Sequence, residues 1–430
     1  MKRVLIITYY WPPSGGSGVQ RWVKFVKYLP SCGWQPVVLA PENPEYTTLD
    51  KTLLDDIPAE AEVLHLPIRE PYTLYRKIMG KNASTDLKTV VTPITSGKKN
   101  WKQKLSLWIR GNLFVPDPRV GWRHPAVRFL KKYLKEHPVD AVVTTGPPHS
   151  MHLIGLKLHQ ETGVPWIPDF RDPWTKLHNL RYLSMTRCTW KKLHRMEQQV
   201  LDNSSAVLTV TPLVQEDYRK MTSTPVYMIP NGFDGEDFKA PVHFDGYFNI
   251  TQTGVMSADG NPSAFWKILG AKAARDEEFR SALRIRFCGV IDAPVLEEIK
   301  REGLEPNLVL LGYRSHAEAI LEQRQASLLL LPLRDAPEMK IILPGKLFEY
   351  LAARRPVLGF GQSDGAQARL LQETGAGITA DWTDTKAMED FLEKAWAAHK
   401  AGGVPATTGN IDQYERRALT RELAALLEKV

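Results

Sequence analysis

Short runs of Val, Ile and Leu alternate along the chain with stretches in which apolar residues recur every three or four positions. The runs predict strands buried on both faces, and the periodic stretches predict helices laid against them, the arrangement of parallel sheets covered by helices. Strands are expected near 3–9, 35–39, 62–65, 139–143, 164–168, 205–209 and 225–229, with helices near 18–29, 123–136, 149–161, 182–202 and 212–220. The rhythm then repeats, with strands near 248–253, 284–288, 307–311, 327–332 and 356–360. Helices fall near 262–274, 293–302, 315–324, 345–353, 365–373 and 384–399.

Between the two halves lies Pro230-Asn231-Gly232-Phe233-Asp234-Gly235, a cluster of turn formers followed by a polar stretch without periodicity up to Tyr247. The expected organisation is therefore a first domain over 1–230, a linker over 231–247, and a second domain over 248–430 whose final helix returns to the first. Residues 70–120 show no βαβ rhythm and read as an insertion in the first domain. The class is α/β, with two Rossmann-like, doubly wound parallel-sheet domains facing a central cleft, where open sheets bind ligands beyond their strand C-termini.

The length of 430 residues suits two cores, and 43% hydrophobic with 24% charged residues excludes a disordered chain or a coiled-coil rod. The formal net charge is +8, but its excess is local. Eleven Lys or Arg and a single acid, Asp117, fall between Gly97 and Lys135. Within that window Trp101, Leu105, Trp108 and Ile109 recur at helical spacing beside Lys98, Lys99, Lys102 and Lys104. This is the form of an interfacial amphipathic helix, or of a helix packed on its own domain with a solvated basic face. No helix-turn-helix, zinc-finger or RRM pattern accompanies it, so a nucleic-acid partner is not expected.

Three widely separated cysteines, Cys32, Cys188 and Cys288, suggest neither a disulfide framework nor a thiolate metal site, and fit a reducing cytoplasm. The apolar run after Met1-Lys2-Arg3 stops after four residues, which makes it a first strand rather than a signal peptide. No run is long enough for a spanning helix, so any membrane contact is expected to be peripheral.

Two segments carry candidate chemistry. Pro12-Pro13-Ser14-Gly15-Gly16-Ser17-Gly18 joins the first strand to its helix, where bare backbone N–H groups can meet an anion or simply make a tight turn. It is not G-x-G-x-x-G, and the second strand ends in Leu39-Ala40 without the acid that would hold a dinucleotide ribose. In the second half, Pro344-Gly345 opens a helix that places Lys346 in its first turn and Glu349 three residues on, on the same face. A lysine there opposes the helix dipole, which a bound diphosphate would offset, and a carboxylate can hold two ribose hydroxyls. A surface Lys–Glu pair is the plainer alternative.

Five segments in order give a resemblance: the Pro-Pro-x-Gly-Gly loop at 12–16, Gly146-Pro147-Pro148-His149-Ser150, Asp169-Phe170-Arg171-Asp172-Pro173-Trp174, Ile229-Pro230-Asn231-Gly232-Phe233-Asp234, and Pro344 to Val357. Together they resemble the retaining glycosyltransferases of family 4, with the GT-B fold, and among these the bacterial enzymes that build surface polysaccharides. The resemblance implies transfer of a sugar from a nucleoside-diphosphate sugar to a hydroxyl on a saccharide or lipid-linked acceptor, with no cofactor. It implies Gly15, Gly16, Gly254, Gly345, Lys346 and Glu349 at the donor, and His149 and Lys346 at the reacting centre. Asp169 and Asp172 flank Arg171 at a strand end and are the remaining catalytic candidates, with an internal brace to Arg171 as the alternative. Their spacing of three is not the Asp-x-Asp of metal-dependent transferases, so no metal is expected.

Two positions depart from the family pattern. Ile341 stands where a second glutamate is usual, and Gly260 where a basic residue is usual, with Arg334, Glu338 or Lys340 as nearby substitutes. These departures leave room for a non-catalytic sugar-nucleotide-binding partner in a polysaccharide assembly complex, or for a nucleotide-sugar epimerase on the same fold.

Overall fold

A computed structural model describes residues 1–46, 48–70, 101–177, 180, 182–402 and 409–430. The chain divides into two compact units, residues 1–230 with 419–430, and residues 231–418.

The first unit holds seven parallel strands: β1 (Lys2–Ile7), β2 (Trp34–Pro41), β3 (Glu62–Leu66), β4 (Ala141–Gly146), β5 (Trp166–Phe170), β6 (Val207–Thr209) and β7 (Val226–Met228). They lie in the order β3-β2-β1-β4-β5-β6-β7, so the direction of winding reverses between β1 and β4. The apolar runs of β1 and β4 are continuous because both faces are covered, and Val4, Ile6, Ala141 and Val143 are fully buried. Its first helices are α1 (Ser17–Tyr28), α2 (Trp101–Leu113), α3 (Arg123–Glu136) and α4 (Ser150–Thr162), and α1 lays Val19, Trp22, Val23 and Val26 on one face of this sheet. The same cluster is completed by Leu419, Leu423, Leu426 and Leu427 of the C-terminal helix, Arg416–Leu427.

The second unit has six parallel strands: β8 (Phe248–Thr253), β9 (Leu283–Cys288), β10 (Leu308–Gly312), β11 (Leu328–Pro332), β12 (Val357–Phe360) and β13 (Gly377–Ala380). Their order is β10-β9-β8-β11-β12-β13, with the reversal between β8 and β11. One face is covered by Phe265, Trp266, Leu269, Val295, Ile299, Met388, Leu392 and Trp396. The other carries Leu347, Phe348 and Leu351 of the helix Gly345–Ala353.

Some expectations need adjustment. The first strand ends at Ile7 rather than at residue 9, because Tyr9 and Trp11 turn inward and are buried at the sheet's C-terminal edge. Strand β13 and the six-residue helix Glu277–Ala282 have too few periodic positions to register in the sequence. Residues 231–247 read as a linker, yet they lie in the second unit. Phe233 is buried there; its N–H donates to Tyr414 O (3.1 Å) and its carbonyl accepts from Arg416 N (2.8 Å).

Candidate functional site

Ligands of open α/β sheets sit at the strand C-termini where the winding reverses. In the first unit that point joins the loop after β1, which contains Gly15 and Gly16, to the loop after β4, which contains His149. Gly16 has φ 87°, a conformation that disfavours a side chain, and nothing would meet a Cβ there. It precedes α1, whose first turn has no capping side chain and no acid, so its N-terminal N–H groups are suited to an anion. Gly15 corrects the expectation: its N–H already donates to Thr48 O at 2.9 Å.

His149 occupies the N-cap position of α4 (Ser150–Thr162) without capping it. Asp117, the single acid of the basic window, caps α4 instead, accepting from Ser150 N and Ser150 Oγ at 2.8 Å each. This frees the imidazole, which stacks on Trp174 with ring centroids 4.9 Å apart and planes 8° from parallel. Neither ring nitrogen has a hydrogen-bond partner among the described residues, and burial, with the nearby His152 and Arg171, holds the ring well below its usual pKa. His149 is therefore neutral at pH 7.

Asp169 is placed differently from the catalytic expectation. It is fully buried and accepts from Arg21 Nε (3.2 Å), Arg21 Nη2 (3.1 Å), Trp22 Nε1 (2.7 Å) and Thr145 Oγ1 (3.0 Å). A carboxylate with its acceptor sites so occupied is sealed from any reacting atom, so its role is structural. The brace runs to Arg21 and not to the adjacent Arg171. Arg171 instead donates to Gly18 O (2.5 Å) and Pro147 O, tying the β1 and β4 loops together. Asp172 is half-buried and makes no hydrogen bond to a described residue; burial raises its pKa while Arg171 opposes the rise.

In the second unit the reversal point joins the loop after β8 to the segment after β11 and the helix that follows. Gly254, at φ 88°, follows β8, and a Cβ there would lie 3.8 Å from Lys346 Nζ. Gly345 opens the helix Gly345–Ala353 behind Pro344, with no side-chain cap. Lys346 donates to Thr253 O at 2.9 Å, and burial pulls its pKa down to about 8 while Glu349 opposes the fall. Glu349 accepts from Gln323 Nε2 at 2.9 Å, and its other oxygen is 3.9 Å from His316 Nδ1, whose Nε2 is 3.4 Å from Asp237. Gln323 Nε2 also reaches Thr253 Oγ1 (3.3 Å), and Thr253 N donates to the Tyr350 hydroxyl at 3.0 Å. Lys346 and Glu349 thus share one hydrogen-bonded platform at the crevice. Gln323, His316 and Thr253 escaped the sequence reading because they come from other elements and form no motif with residues 345–349.

The two departures have physical reasons or replacements. A Cβ on Gly260 would lie 2.9 Å from Leu333 O, so a long basic side chain cannot be added without moving backbone. Arg334 comes instead from the segment after β11 and places its Nε 3.4 Å from Asp259 Oδ2, beside that glycine. Ile341 is half-buried at the end of the short helical turn Pro337–Ile341 and supplies no carboxylate. Among the described residues, no three His, Cys, Asp or Glu side chains converge as metal ligands.

Residues 89–237 match the model of Glycosyltransferase Family 4. The chain is a glycosyltransferase. Its fold is that of GT-B enzymes, as solved structures of low sequence identity show. One is an alpha,alpha-trehalose-phosphate synthase (UDP-forming) from Burkholderia vietnamiensis, 13% identical over 100% of each chain with a TM-score of 0.61. Another is sucrose-phosphate synthase from Thermosynechococcus elongatus, 12% identical over 100% of this chain and 99% of that one, with a TM-score of 0.59. A third is a variant of S. aureus TarM in complex with fondaparinux, alpha-GlcNAc-glycerol and UDP, 11% identical over 99% and 100%, with a TM-score of 0.56. No curated protein matches the sequence.

The helix expected at Trp101 to Ile109 of this glycosyltransferase forms as α2 (Trp101–Leu113). Trp101, Leu105 and Trp108 are 66%, 47% and 42% exposed, Lys104 is exposed, and Ile109 is half-buried. The helix is anchored at its C-terminal end, where Asn112 Oδ1 accepts from Thr186 N (2.8 Å) and Thr189 Oγ1 (2.7 Å). Lys98 and Lys99 lie outside the described residues, and the Lys102 side chain is not described. Part of the basic window is used internally, with Arg119 paired to Glu70 at 2.9 Å and Lys131 to Glu161 at 2.6 Å. No helix among the described residues is long and apolar enough to cross a membrane.

Proposed function

We propose that this enzyme moves a sugar from a nucleoside-diphosphate sugar to a saccharide hydroxyl, with retained anomeric configuration and without a metal, on a lipid-linked intermediate of polysaccharide biosynthesis. The observation that carries the reading is the shared platform of Lys346 and Glu349 at the β8 end. The cation meets the diphosphate, together with the N-terminal N–H groups of the helix it heads, and the carboxylate takes the ribose hydroxyls. Binding of UDP to TarM supports a nucleotide donor of this type. As the bond to the sugar breaks, negative charge grows on the leaving phosphate, and a fixed cation in a half-dry site stabilises that charge most in the transition state. The phosphate itself accepts the proton of the incoming hydroxyl. His149, neutral and without a partner at either nitrogen among the described residues, offers hydrogen bonds to the sugar, and Asp172 is the acid left without a described partner at the β5 end.

The donor assignment is tested by titrating nucleoside diphosphates into wild type and Glu349→Ala by calorimetry. Loss of charge-assisted hydrogen bonds is expected to cost about 1.5–3 kcal/mol, on the order of tenfold or more in affinity. Equal affinities would remove Glu349 from the ribose.

The exposed stripe Trp101, Leu105 and Trp108 beside basic residues supports peripheral attachment to an anionic membrane surface, where the lipid-linked acceptor would lie. Reversing Lys98, Lys99, Lys102 and Lys104 to Glu is expected to abolish co-sedimentation with anionic vesicles, each basic residue contributing about 1 kcal/mol. Trp101→Ser with Trp108→Ser should weaken it at high salt as well. Unchanged sedimentation of both variants would assign this face to another use.

A further inference from the structure

Three ring nitrogens near the β4 end lack partners among the described residues although the rings are almost wholly buried: His149 Nδ1, His149 Nε2 and His152 Nε2. Buried polar atoms are rarely left unpaired, and here the pairing that does exist fixes where the protons lie. An indole N–H can only donate, so the 2.9 Å contact from Trp166 Nε1 makes Thr144 Oγ1 an acceptor. Thr144 is fully buried, and among the described residues the group left to take its own hydroxyl proton is His152 Nδ1, 2.9 Å away. His152 Nδ1 is then unprotonated, and a neutral His152 carries its proton on Nε2. Burial pulls His152 down to a pKa of about 3, which keeps it neutral across the working range.

His152 Nε2 and His149 Nδ1 both lie against Gly146. A Cβ on Gly146 would meet them at 2.6 and 2.9 Å, so the absent side chain is what lets both rings approach this spot. They are not in direct hydrogen-bond contact, and one water between them would satisfy both. Gly155 serves the same chain of contacts on its other side, since a Cβ there would lie 2.2 Å from Trp166 Nε1.

We propose that His152 is a positioning residue which, through the relay Trp166, Thr144, His152, water, fixes His149 as its Nε2–H tautomer, so that His149 offers a sugar oxygen a donor rather than an acceptor. The use made of that donor rests on the reading that His149 meets the transferred sugar; the relay itself does not. The order of protons is Trp166 Nε1–H to Thr144, Thr144 Oγ1–H to His152 Nδ1, His152 Nε2–H to the water, and a water proton to His149 Nδ1. Within the relay each group is then used in its proper sense, His149 Nε2–H is left over for a ligand oxygen, and no net charge enters the core.

The test is a long-range nitrogen–proton NMR correlation on the full chain labelled with 15N-histidine, at pH 7. Both His149 and His152 are expected as Nε2–H tautomers in wild type. Thr144→Val removes the directing proton and should turn both signals into mixtures. His149 found as the Nδ1–H form, or tautomers unmoved by Thr144→Val, would overturn the proposal, and the wild-type spectrum decides even if the variant folds poorly. A kinetic arm follows the consequence: His152→Phe should lower kcat by about 10–100-fold, as loss of an outer hydrogen-bond partner does, with the donor KM little changed. If the NMR result holds but His149→Ala transfers sugar at the wild-type rate, the relay stands and the placing of His149 at the sugar fails.

Discussion

Asp169→Ala is expected to unfold the first unit under conditions where the wild type is fully stable. Asp169 and Arg21 are 0% and 1% exposed, and the pair is satisfied on every side; Arg21 also donates to Pro230 O (2.8 Å) and Ile229 O (2.9 Å). Removing the carboxylate leaves a guanidinium buried without its counter-charge and strips acceptors from Trp22 and Thr145, at a cost of about 3–5 kcal/mol. Urea unfolding followed by tryptophan fluorescence measures this, because Trp22 and Trp166 report on this core. A loss below about 1 kcal/mol would show that the pair is not the brace described. The same geometry separates Asp169 from catalysis: Asp169→Asn should lose stability first, and any fall in activity should follow the fraction unfolded.

The second large effect is on turnover. Lys346→Ala is expected to lower kcat by about 10²–10³-fold, equivalent to roughly 2.7–4 kcal/mol, the amount typically lost with one donor to developing negative charge. The pH dependence has a definite sign. With its pKa near 8 in the free protein, Lys346 is a cation below that pH and loses its proton above it. A bound diphosphate favours the cation, so binding takes up protons above pH 8, and donor affinity should fall as pH rises through that value. Stability moves the opposite way: the folded state holds this proton more weakly than the unfolded chain, so the cost of burying the charged Lys346 is present below about pH 8 and eases at higher pH. Nucleotide titrations and urea unfolding from pH 6.5 to 9.5, on wild type and Lys346→Ala, would expose both trends, and single-turnover transfer measures the fall in kcat; a variant with wild-type kcat would remove Lys346 from the phosphate.

The second-unit platform was partly legible because its main residues are local. Lys346 and Glu349 are three apart on one short helix, and the Pro-Gly that opens it is written beside them. Periodicity likewise located most strands and helices, since both sheets are buried on two faces and their runs are unbroken. What escaped depends on distant partners. Nothing in Asp169-Phe170-Arg171-Asp172 tells which acid turns inward: strand alternation and Arg21, some 148 positions away in sequence, decide it. Gly15 and Gly16 look equivalent in the sequence, but the nearby strand-like contact at Thr48 consumes the N–H of the first. His149 could be placed at a strand end, whereas its freedom to act required Asp117 to take over the cap.

The core of the first unit is assembled from the two ends of the sequence, with residues 1–230 awaiting Leu419, Leu423, Leu426 and Leu427. Each of these leucines brings about 1.5–3 kcal/mol of burial. During synthesis, residues 231–418 leave the ribosome as one continuous stretch and contain all of their own strands. The second unit can therefore close while the first still lacks the leucines that complete its apolar cluster. For that interval the nascent chain is a client for chaperones that shield such surfaces, and a stop codon just before residue 419 would leave that surface permanently open while sparing the platform of Lys346 and Glu349.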